Sequence, residues 1–558
     1  MNRNNEAHFN QVPELHISRS TFKRDQKILT TFNPGKLIPF YVDEVLPGDT
    51  FRVSTSAIIR QQTPMYPVMD DAYIDFYYFF CPNRILWNNF KRFMGEADDR
   101  AWTPSQNYSV PKIRIGSTQI LDWYAGPKEG SILDYMGVPT NIADGDGKGV
   151  KAEINALPVR AYIKIWNEYF RDQNVDNKAV VATDDQNETY LDYKNMPLND
   201  ILAIGAKTGG RCLPVNKFHD YFTSCLPYPQ RGPEVTMPMN GNAPVNMYLD
   251  KEGKTPLDST IWLNGTGNGA PYLVNDNPQT KIHGATENAG TTPNIGFLSA
   301  DLSSVSAATI NELRQAIAVQ HYYEAMARGG SRYREQVRSI FGVTISDKTV
   351  QIPEYLGGGR YRININQVVQ NAGQAQENGT NLGSTGAVSV TPINESSFTK
   401  SFEEHGFVIG VMCVRHDRTY QQGLERFWSR SDRLDYYVPQ FANLGEQPVK
   451  KKEIMLTGTS TDEETFGYQE AWADYRMKPN RVSGEMRSNY AQSLDAWHYA
   501  DDYETVPTLS QGWMKEGDAE IKRTLIVQDQ DLFFGGIYVQ NKTTRCMPLY
   551  SVPGLDKI

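Results

Sequence analysis

The chain has 558 residues and a formal net charge of −9, and 39% of its residues are hydrophobic and 11% aromatic. This apolar content supports a folded core and excludes a wholly disordered chain. The negative net charge excludes a protein that coats nucleic acid over its whole surface, so any contact with DNA or RNA must use a local basic patch.

Nothing at the start of the chain or in its apolar runs indicates export or membrane insertion. The first residues, MNRNNEAHFNQ, lack the apolar stretch of a secretory signal. The most apolar run, Ala72–Cys81, contains Asp75 and is about half as long as a bilayer-spanning helix. The cysteines form no C-x-x-C pair, which favours free thiols in a reducing compartment. They are Cys81, Cys212, Cys225, Cys413 and Cys546.

Short segments with alternating apolar residues, bounded by Gly, Pro and Asn, predict antiparallel strands along the whole chain. They are Phe51–Ile59, Ala72–Cys81, Tyr361–Val369, His405–Val414, Thr524–Gln528 and Phe533–Gln540. Because these segments are far apart in sequence, long connections must join them, which is typical of a jelly roll rather than a meander. We therefore predict an all-β core with very long loop insertions and a few short helices.

Two of the connections predict amphipathic helices. Behind Pro158, apolar residues recur at helical spacing at Tyr162, Ile165, Trp166, Tyr169 and Phe170. A second helix is predicted from about Ile310 to Arg328, with Leu313 and Ile317 on one face and Gly329-Gly330 as its stop. Neither helix carries polar ligands at matching spacing, so we interpret both apolar stripes as core packing.

Residues 233–300 differ from the rest of the chain in composition. The segment is filled with Asn, Gly, Thr and Pro, and beyond Ile261 its charged residues are Asp276, Lys281 and Glu287. Such a segment predicts an excursion from the surface, either a disordered loop or a projecting knob that faces a receptor. The candidate receptor-facing residues are Trp262, Asn264, Tyr272, Lys281 and His283.

Basic residues interleaved with aromatic ones are candidates for binding single-stranded nucleic acid, because guanidinium groups pair with phosphates and rings stack on bases. The candidates in the N-terminal arm, residues 1–35, are Arg19, Lys23, Arg24 and Lys27. Those in the stretch from Arg415 to Arg433 are Arg415, Arg418 and Arg426. The alternative for this stretch is ion pairing between subunits, since Asp417, Glu425 and Asp432 are interleaved with the arginines.

No pattern of residues predicts a catalytic or metal site. Asp144–Gly149 begins like a calcium loop but has Lys148 where an oxygen ligand is needed. The plausible acid–base pairs are His219 with Asp220, and His405 beside Glu403-Glu404, and structural roles fit both better. We expect no catalytic residue, no bound metal and no cofactor.

Several blocks of the sequence resemble the major capsid protein of the Microviridae, small single-stranded DNA bacteriophages. They are EVLPGDT (Glu44–Thr50), PVNKFHDYFTSCLPYPQRG (Pro214–Gly232), RGGSRYREQVRSIFGV (Arg328–Val343), VRHDRTYQQG (Val414–Gly423), FGYQEAWADYRMKPNRVSGEMR (Phe466–Arg487) and LDAWHYAD (Leu494–Asp501). They occur in the family's order and extend from near the N-terminus to near the C-terminus. The long polar insertion is similar to that of the gokushovirus branch.

The resemblance implies an eight-stranded antiparallel jelly roll that self-assembles into a T=1 icosahedral shell around circular single-stranded DNA. It implies a core from residues 36–232 and 301–558, an N-terminal arm facing the interior, and an insertion that forms a protrusion at three-fold axes and contributes to host attachment. The implied partners are further copies of the chain, the DNA genome, internal scaffolding, DNA-binding and pilot proteins, and a host cell-surface receptor. The chain would be a virion component assembled in the bacterial host cytoplasm.

A different class of function stays open on the residues alone. A β-sandwich that binds or cleaves glycans could use Glu403, His405 and Trp262. It would be a monomer with measurable sugar binding, whereas a shell protein would form obligate oligomers.

Overall fold

The computed structural model describes residues 18–96, 107–115, 127–140, 152–190, 198–204, 210–233, 235, 245–248, 272–276, 279–283, 297–300, 310–371 and 382–551. Two compact units are present, one formed by Met1–Pro229 with Gly329–Ile558 and the other by Gln230–Arg328. No helix in the described ranges is long and apolar enough to cross a membrane.

Antiparallel β-structure dominates the larger unit. The strands of the whole chain are β1 Ser20–Lys23, β2 Gln26–Phe32, β3 Ile38–Val45, β4 Thr50–Gln61, β5 Ala72–Pro82, β6 Lys112–Ile115, β7 Ala152–Asn155, β8 Glu188–Thr189, β9 Val245–Tyr248, β10 Tyr272–Asp276, β11 Gln279–His283, β12 Phe297–Ala300, β13 Glu354–Arg362, β14 Ile365–Val369, β15 Thr385–Ser389, β16 Thr391–Ser401, β17 Gly406–His416, β18 Thr419–Tyr420, β19 Glu446–Lys450, β20 Thr465–Glu470, β21 Asn480–Arg481 and β22 Phe533–Arg545.

The helices lie in the connections between strands, and all of those described except α6 are short. They are α1 Asn83–Leu86, α2 Phe90–Phe93, α3 Ile132–Tyr135, α4 Leu157–Ile165, α5 Leu198–Ile204, α6 Ile310–Gly329, α7 Tyr333–Phe341, α8 Asp347–Val350, α9 Lys451–Ile454, α10 Gln511–Met514 and α11 Ala519–Arg523. A π-helical turn, Trp166–Phe170, continues α4.

Two large sheets form the centre of the larger unit. In the five-stranded sheet β22 lies between β4 and the pair β1 and β2, and β16 forms the far edge beside β4. The four-stranded sheet has the order β13-β5-β17-β3. All these pairs are antiparallel, which confirms the all-β prediction.

Alternation along the strands explains how the two sheets meet. On β4 the residues Phe51, Val53 and Ile59 are buried, whereas Arg52 and Arg60, at the alternate positions, are exposed. The buried residues of both sheets form one cluster, the inter-sheet core. The five-stranded sheet therefore has one face in this core and one face, its outer face, in solvent.

The four-stranded sheet is buried on both faces. Ile74 and Phe76 of β5 belong to the inter-sheet core. Phe79 belongs to a second cluster, which includes Tyr162 of α4 and Trp166 of the π-helical turn that follows it. This explains why the predicted strand Ala72–Cys81 has large apolar residues at both sets of alternating positions. It also confirms that the stripe behind Pro158 packs into the core.

The predicted strands within β4, β5 and β22 are confirmed, and β17 covers all of the predicted segment except His405 at its start. The segment Tyr361–Val369 is divided between β13, which pairs with β5, and β14, which pairs with β15. The prediction of a strand at Thr524–Gln528 is wrong. The Thr524 hydroxyl donates to the Ile521 carbonyl and closes a turn after α11, and only Leu525 makes an isolated bridge, to Pro64.

The smaller unit contains α6 and two two-stranded antiparallel ladders, β9 with β12 and β10 with β11. The prediction that the α6 stripe is core packing is wrong, because α6 has no buried residue and Leu313 and Ile317 are 40% and 49% exposed. The stripe is too weakly amphipathic to define a buried face, since polar and apolar residues surround the helix. Gly330, with φ of +90°, follows the helix end as predicted.

Candidate functional site

Polar residues from three of the sequence blocks meet in one buried ion network. Arg418, just after β17, donates to Asp501 at 2.7 Å and to Glu516 at 2.5 Å. His416 Nδ1 lies 2.5 Å from the second oxygen of Glu516, and Lys217 Nζ lies 3.8 Å from Asp501. The side chain of Arg418 is 1% exposed. The network therefore ties three distant parts of the chain to the end of the four-stranded sheet.

The two carboxylates of the network remain ionised in spite of their burial. Burial alone would raise the pKa of the Glu516 carboxyl, but the adjacent His416 and Arg418 lower it to about 2. Burial is likewise outweighed at Asp501, where Arg418 and Lys217 hold the pKa well below its usual range. Because charges in a low-dielectric interior are costly unless they are paired, each member depends on the others. The ion pairs therefore hold the segments around Lys217, Asp501 and Glu516 against the end of β17.

Arg415, a candidate for DNA binding, lies in a neighbouring cluster around Asp75, near the beginning of β5. Its guanidinium pairs with Asp75 and donates to the Tyr77 hydroxyl at 3.2 Å. Arg360 pairs with the same Asp75 at 2.7 Å. Both guanidinium groups lie 4.3 Å from the centre of the Phe218 ring. Two cations thus share one carboxylate and one aromatic ring within the same chain.

The third candidate of that stretch, Arg426, donates to the Pro448 carbonyl at 2.9 Å. Arg415, Arg418 and Arg426 are therefore all engaged inside the chain. Their sequence signal, arginines among aromatic and acidic residues, corresponds here to intrachain pairing, and whether they also contact DNA stays a prediction.

The candidates of the N-terminal arm lie along β1 and β2, which pair with β22: Arg19 directly precedes β1, Lys23 ends it, Arg24 follows it, and Lys27 is in β2. Arg19 donates to the Gly48 carbonyl and, at 3.3 Å, to Thr50. Arg24 pairs with Asp43 at 2.5 Å, and Lys23, although 73% exposed, lies 3.1 Å from Asp25. Lys27 is exposed and makes no ion pair with any described residue. Residues 1–17 of the arm lie outside the described residues.

Three exposed cations on the outer face of the five-stranded sheet were missed by the sequence analysis: Arg52 and Arg60 on β4, and Lys542 on β22. None of them pairs with a described residue. Each occupies an outward position of an alternating strand, and this signal was readable in the sequence. What the sequence lacked was the register that places Lys542 beside both Arg52 and Lys23.

The candidate receptor-facing residues belong to the smaller unit. Tyr272 and His283 are direct partners in the β10–β11 ladder, and Lys281 is opposite Val274. Trp262 and Asn264 lie outside the described residues. A hairpin therefore brings three of the five candidates together along the backbone.

The chain between β18 and β21 carries several exposed aromatic and apolar side chains. We call them the aromatic patch and define it as Phe427, Trp428, Leu434, Tyr436, Tyr437 and Tyr475. Phe427 and Trp428 have ring centres 4.7 Å apart. A cavity of about 300 Å³ is lined by both Phe427 and Tyr475. Arg430 stacks on Tyr436 and Tyr475 with distances of 5.6 and 4.3 Å to the ring centres.

The residues considered for acid–base chemistry are held in separate surface pairs. Glu403 pairs with Lys348, Glu404 pairs with Arg84 at 2.6 Å, and the His405 ring packs against Phe90 at 5.8 Å. Among the described residues no group of three His, Cys, Asp or Glu side chains could hold a metal ion. The Asp144–Gly149 loop lies outside them.

All five cysteines are free, and four of them are buried. Burial raises the pKa of the Cys212 and Cys413 thiols to about 12, so neither is a thiolate at neutral pH.

Comparison with known proteins gives a consistent result along almost the whole chain. The sequence model of the capsid protein (F protein) family matches residues 10–555. Capsid protein VP1 of Bdellovibrio phage phiMH2K is 39% identical, over 99% of this chain and 98% of the relative. Capsid protein VP1 of Chlamydia phage 1 is 37% identical and that of Spiroplasma virus 4 is 36% identical, with the same coverage of both chains.

Proposed function

Since the chain belongs to the capsid protein (F protein) family, as its resemblance to the Microviridae capsid proteins predicted, we propose that it closes into a T=1 icosahedral shell around circular single-stranded DNA. The chain is a structural component of a bacteriophage virion and assembles into a multimeric capsid. The glycan-binding alternative is not favoured. Assembly in the bacterial host cytoplasm is part of the proposal, and the free cysteines are compatible with it.

The observation that carries the proposal is the aromatic patch. Trp428 is 67% exposed and Tyr436 is 55% exposed, next to the cation Arg430. Exposed aromatic side chains gathered in one region mark interaction sites, and Trp, Tyr and Arg are the residues that dominate protein interfaces. We assign the patch to contacts between copies of the chain.

The order of the strands supports the finer proposal of an eight-stranded jelly roll. Its strands would be β2, β22, β4 and β16 in one sheet and β3, β17, β5 and β13 in the other. Successive strands β2, β3, β4 and β5 alternate between the two sheets, as they do in a sandwich with Greek-key connections. The very long connection between β5 and β13 carries the segment 233–300.

The insertion, residues 233–300, would form the three-fold protrusion and contribute to host attachment. Its support is that Gln230–Arg328 forms a compact unit of its own and contains the hairpin of Tyr272, Lys281 and His283. The N-terminal arm, which supplies β1 and β2 to the five-stranded sheet, would face the shell interior, where the scaffolding, DNA-binding and pilot proteins would also lie.

Electron microscopy of the purified assembly, with its ratio of absorbance at 260 and 280 nm, tests the proposed function. We expect closed particles of one size with a nucleic-acid-like ratio. Trp428→Asp should prevent closure without lowering the thermal stability of the free chain, whereas Trp428→Phe should still assemble. A dispersed monomer with a protein-like ratio, in the presence of the other phage proteins, would contradict the shell and favour the glycan-binding alternative.

A further inference from the structure

We propose that the outer face of the five-stranded sheet binds the backbone and bases of single-stranded DNA through Lys23, Lys27, Arg52, Arg60 and Lys542. This inference rests on the proposed function, because it names the surface that would contact the enclosed genome.

The first observation is a row of three cations across three neighbouring strands. Lys23 of β1 is the direct partner of Lys542 in β22, and Lys542 is the direct partner of Arg52 in β4. All three are exposed on the same face. Like charges directly opposite each other destabilise a sheet, and strands are only about 4.8 Å apart. The basic row is therefore a cost to folding that a bound polyanion would remove.

The second observation is that most of these cations have no counterion. Arg52, Arg60, Lys27 and Lys542 make no ion pair or hydrogen bond through their side chains with any described residue, whereas Lys23 has Asp25 at 3.1 Å. This differs from Arg415 and Arg418, which are neutralised by buried carboxylates. Unpaired guanidinium and ammonium groups are available to phosphates.

The third observation is an aromatic and apolar strip beside the cations. Phe534, Gly536 and Tyr538 occupy successive outward positions of β22, and Phe534 is the direct partner of Arg60. Gly536 has no side chain, so a gap lies between the two rings, flanked by Leu29 and Ile58. Exposed rings next to cations are the arrangement by which single strands are held without sequence preference.

Several carboxylates lie near this face. Glu129 and Asp134 line the same cavity as Lys27 and Arg60, and Asp134 accepts a hydrogen bond from the Gly130 amide at 2.8 Å. Asp25 accepts a hydrogen bond from the Tyr538 hydroxyl at 2.7 Å and pairs with Lys23. Asp531, at the end of the sheet, accepts from Thr31 at 2.6 Å and Asn33 at 2.7 Å. From Arg52 to Arg60 the strand extends about 26 Å, at about 3.3 Å per residue. The face is thus a basic surface long enough for several nucleotides on a chain whose net charge is −9.

The test is binding of the full chain to a fluorescent oligothymidylate, followed by anisotropy as a function of salt. In the variant Arg52→Gln, Arg60→Gln, Lys542→Gln we expect at least tenfold weaker binding at about 100 mM salt. The slope of log affinity against log salt should become less steep by about 2, since each lost phosphate contact contributes about 0.7 for single strands. The control variant Lys348→Gln, Arg362→Gln, Arg481→Gln has the same change in charge at exposed positions. It should bind within twofold of the parent.

Equal binding by the two variants would overturn the inference and would assign the face to a protein partner. Particle assembly, followed by electron microscopy, is measured on the same preparations. Closed particles of the first variant with normal DNA content would also overturn the inference but would leave the shell intact. A parent chain that binds the oligonucleotide through these residues but never forms particles would refute the proposed function alone.

Discussion

Trp166 shows how one residue of the predicted helix is used. Its side chain is fully buried in the cluster under the four-stranded sheet, and its indole nitrogen donates to the Pro214 carbonyl at 2.7 Å. The helical spacing predicted the burial, because an apolar stripe must face a core. The hydrogen bond to a loop 48 residues away depends on the tertiary structure.

Trp166→Ala should lower the free energy of unfolding by about 3–5 kcal/mol, because it removes a large buried side chain and leaves a cavity. Denaturant unfolding of the free chain measures the effect. Trp428→Ala is the matched control, and it should cost little because Trp428 is exposed. Equal midpoints for the two variants would show that this helix face does not support the core.

Arg418→Met should destabilise the chain by about 3–5 kcal/mol, because it leaves Asp501 and Glu516 buried without their cation. The control is Arg362→Met, which removes an exposed pair with Asp71 that is worth about 1 kcal/mol or less. Thermal and denaturant unfolding distinguish the two. A loss of no more than about 1 kcal/mol in the Arg418→Met variant would mean that the buried ion network does not stabilise the fold.

The same network predicts a dependence on pH. The pKa of Glu516 is lowered to about 2 from an ordinary value of about 4.5. Its contribution to stability is therefore complete above about pH 4.5 and is lost as the pH falls towards 2. Glu516→Gln should unfold with a weaker dependence on pH across this interval than the parent. Parallel curves would contradict the assignment.

At the scale of elements, alternation along strands was the reliable signal and register was not available. The buried and exposed positions of β4 and β22 follow from the sequence period of two. The segment Thr524–Gln528 has the same composition but no neighbouring strand to pair with, so it closes a turn. A strand requires a partner, and the partner is chosen by the fold.

Lys542→Gln should raise the free energy of unfolding of the unassembled chain by about 0.2–1 kcal/mol, because it removes the middle charge of the basic row. High salt should reduce the gain by screening the charges. Lys400→Gln, in the same sheet, should show no gain, because Lys400 pairs with Glu354 at 2.6 Å. A loss of stability at Lys542 would show that the three charges do not repel one another.

At the scale of the whole molecule, the two compact units predict what can be removed. Deletion of residues 233–300 with a Gly-Ser bridge should leave the larger unit folded, because Gln230–Arg328 forms a unit of its own. Particles with the deletion should adsorb less to host cells. Circular dichroism and thermal unfolding check the first expectation, and adsorption assays check the second. Loss of cooperative unfolding would mean that the insertion is part of the core.

The sequence by itself determined the fold class, the family and the absence of any recognised catalytic motif. These depend on local periodicity and on blocks of residues that are readable one after another. The fate of the individual charges was decided by the tertiary structure. Arg418 and Lys542 look alike in the sequence, but Arg418 is buried between two carboxylates, whereas Lys542 is exposed and lies between two further cations. Electrostatic attraction and repulsion are strong only over a few ångströms. Only the folded chain brings Arg418 next to Glu516, which it attracts, and Arg52 next to Lys542, which it repels.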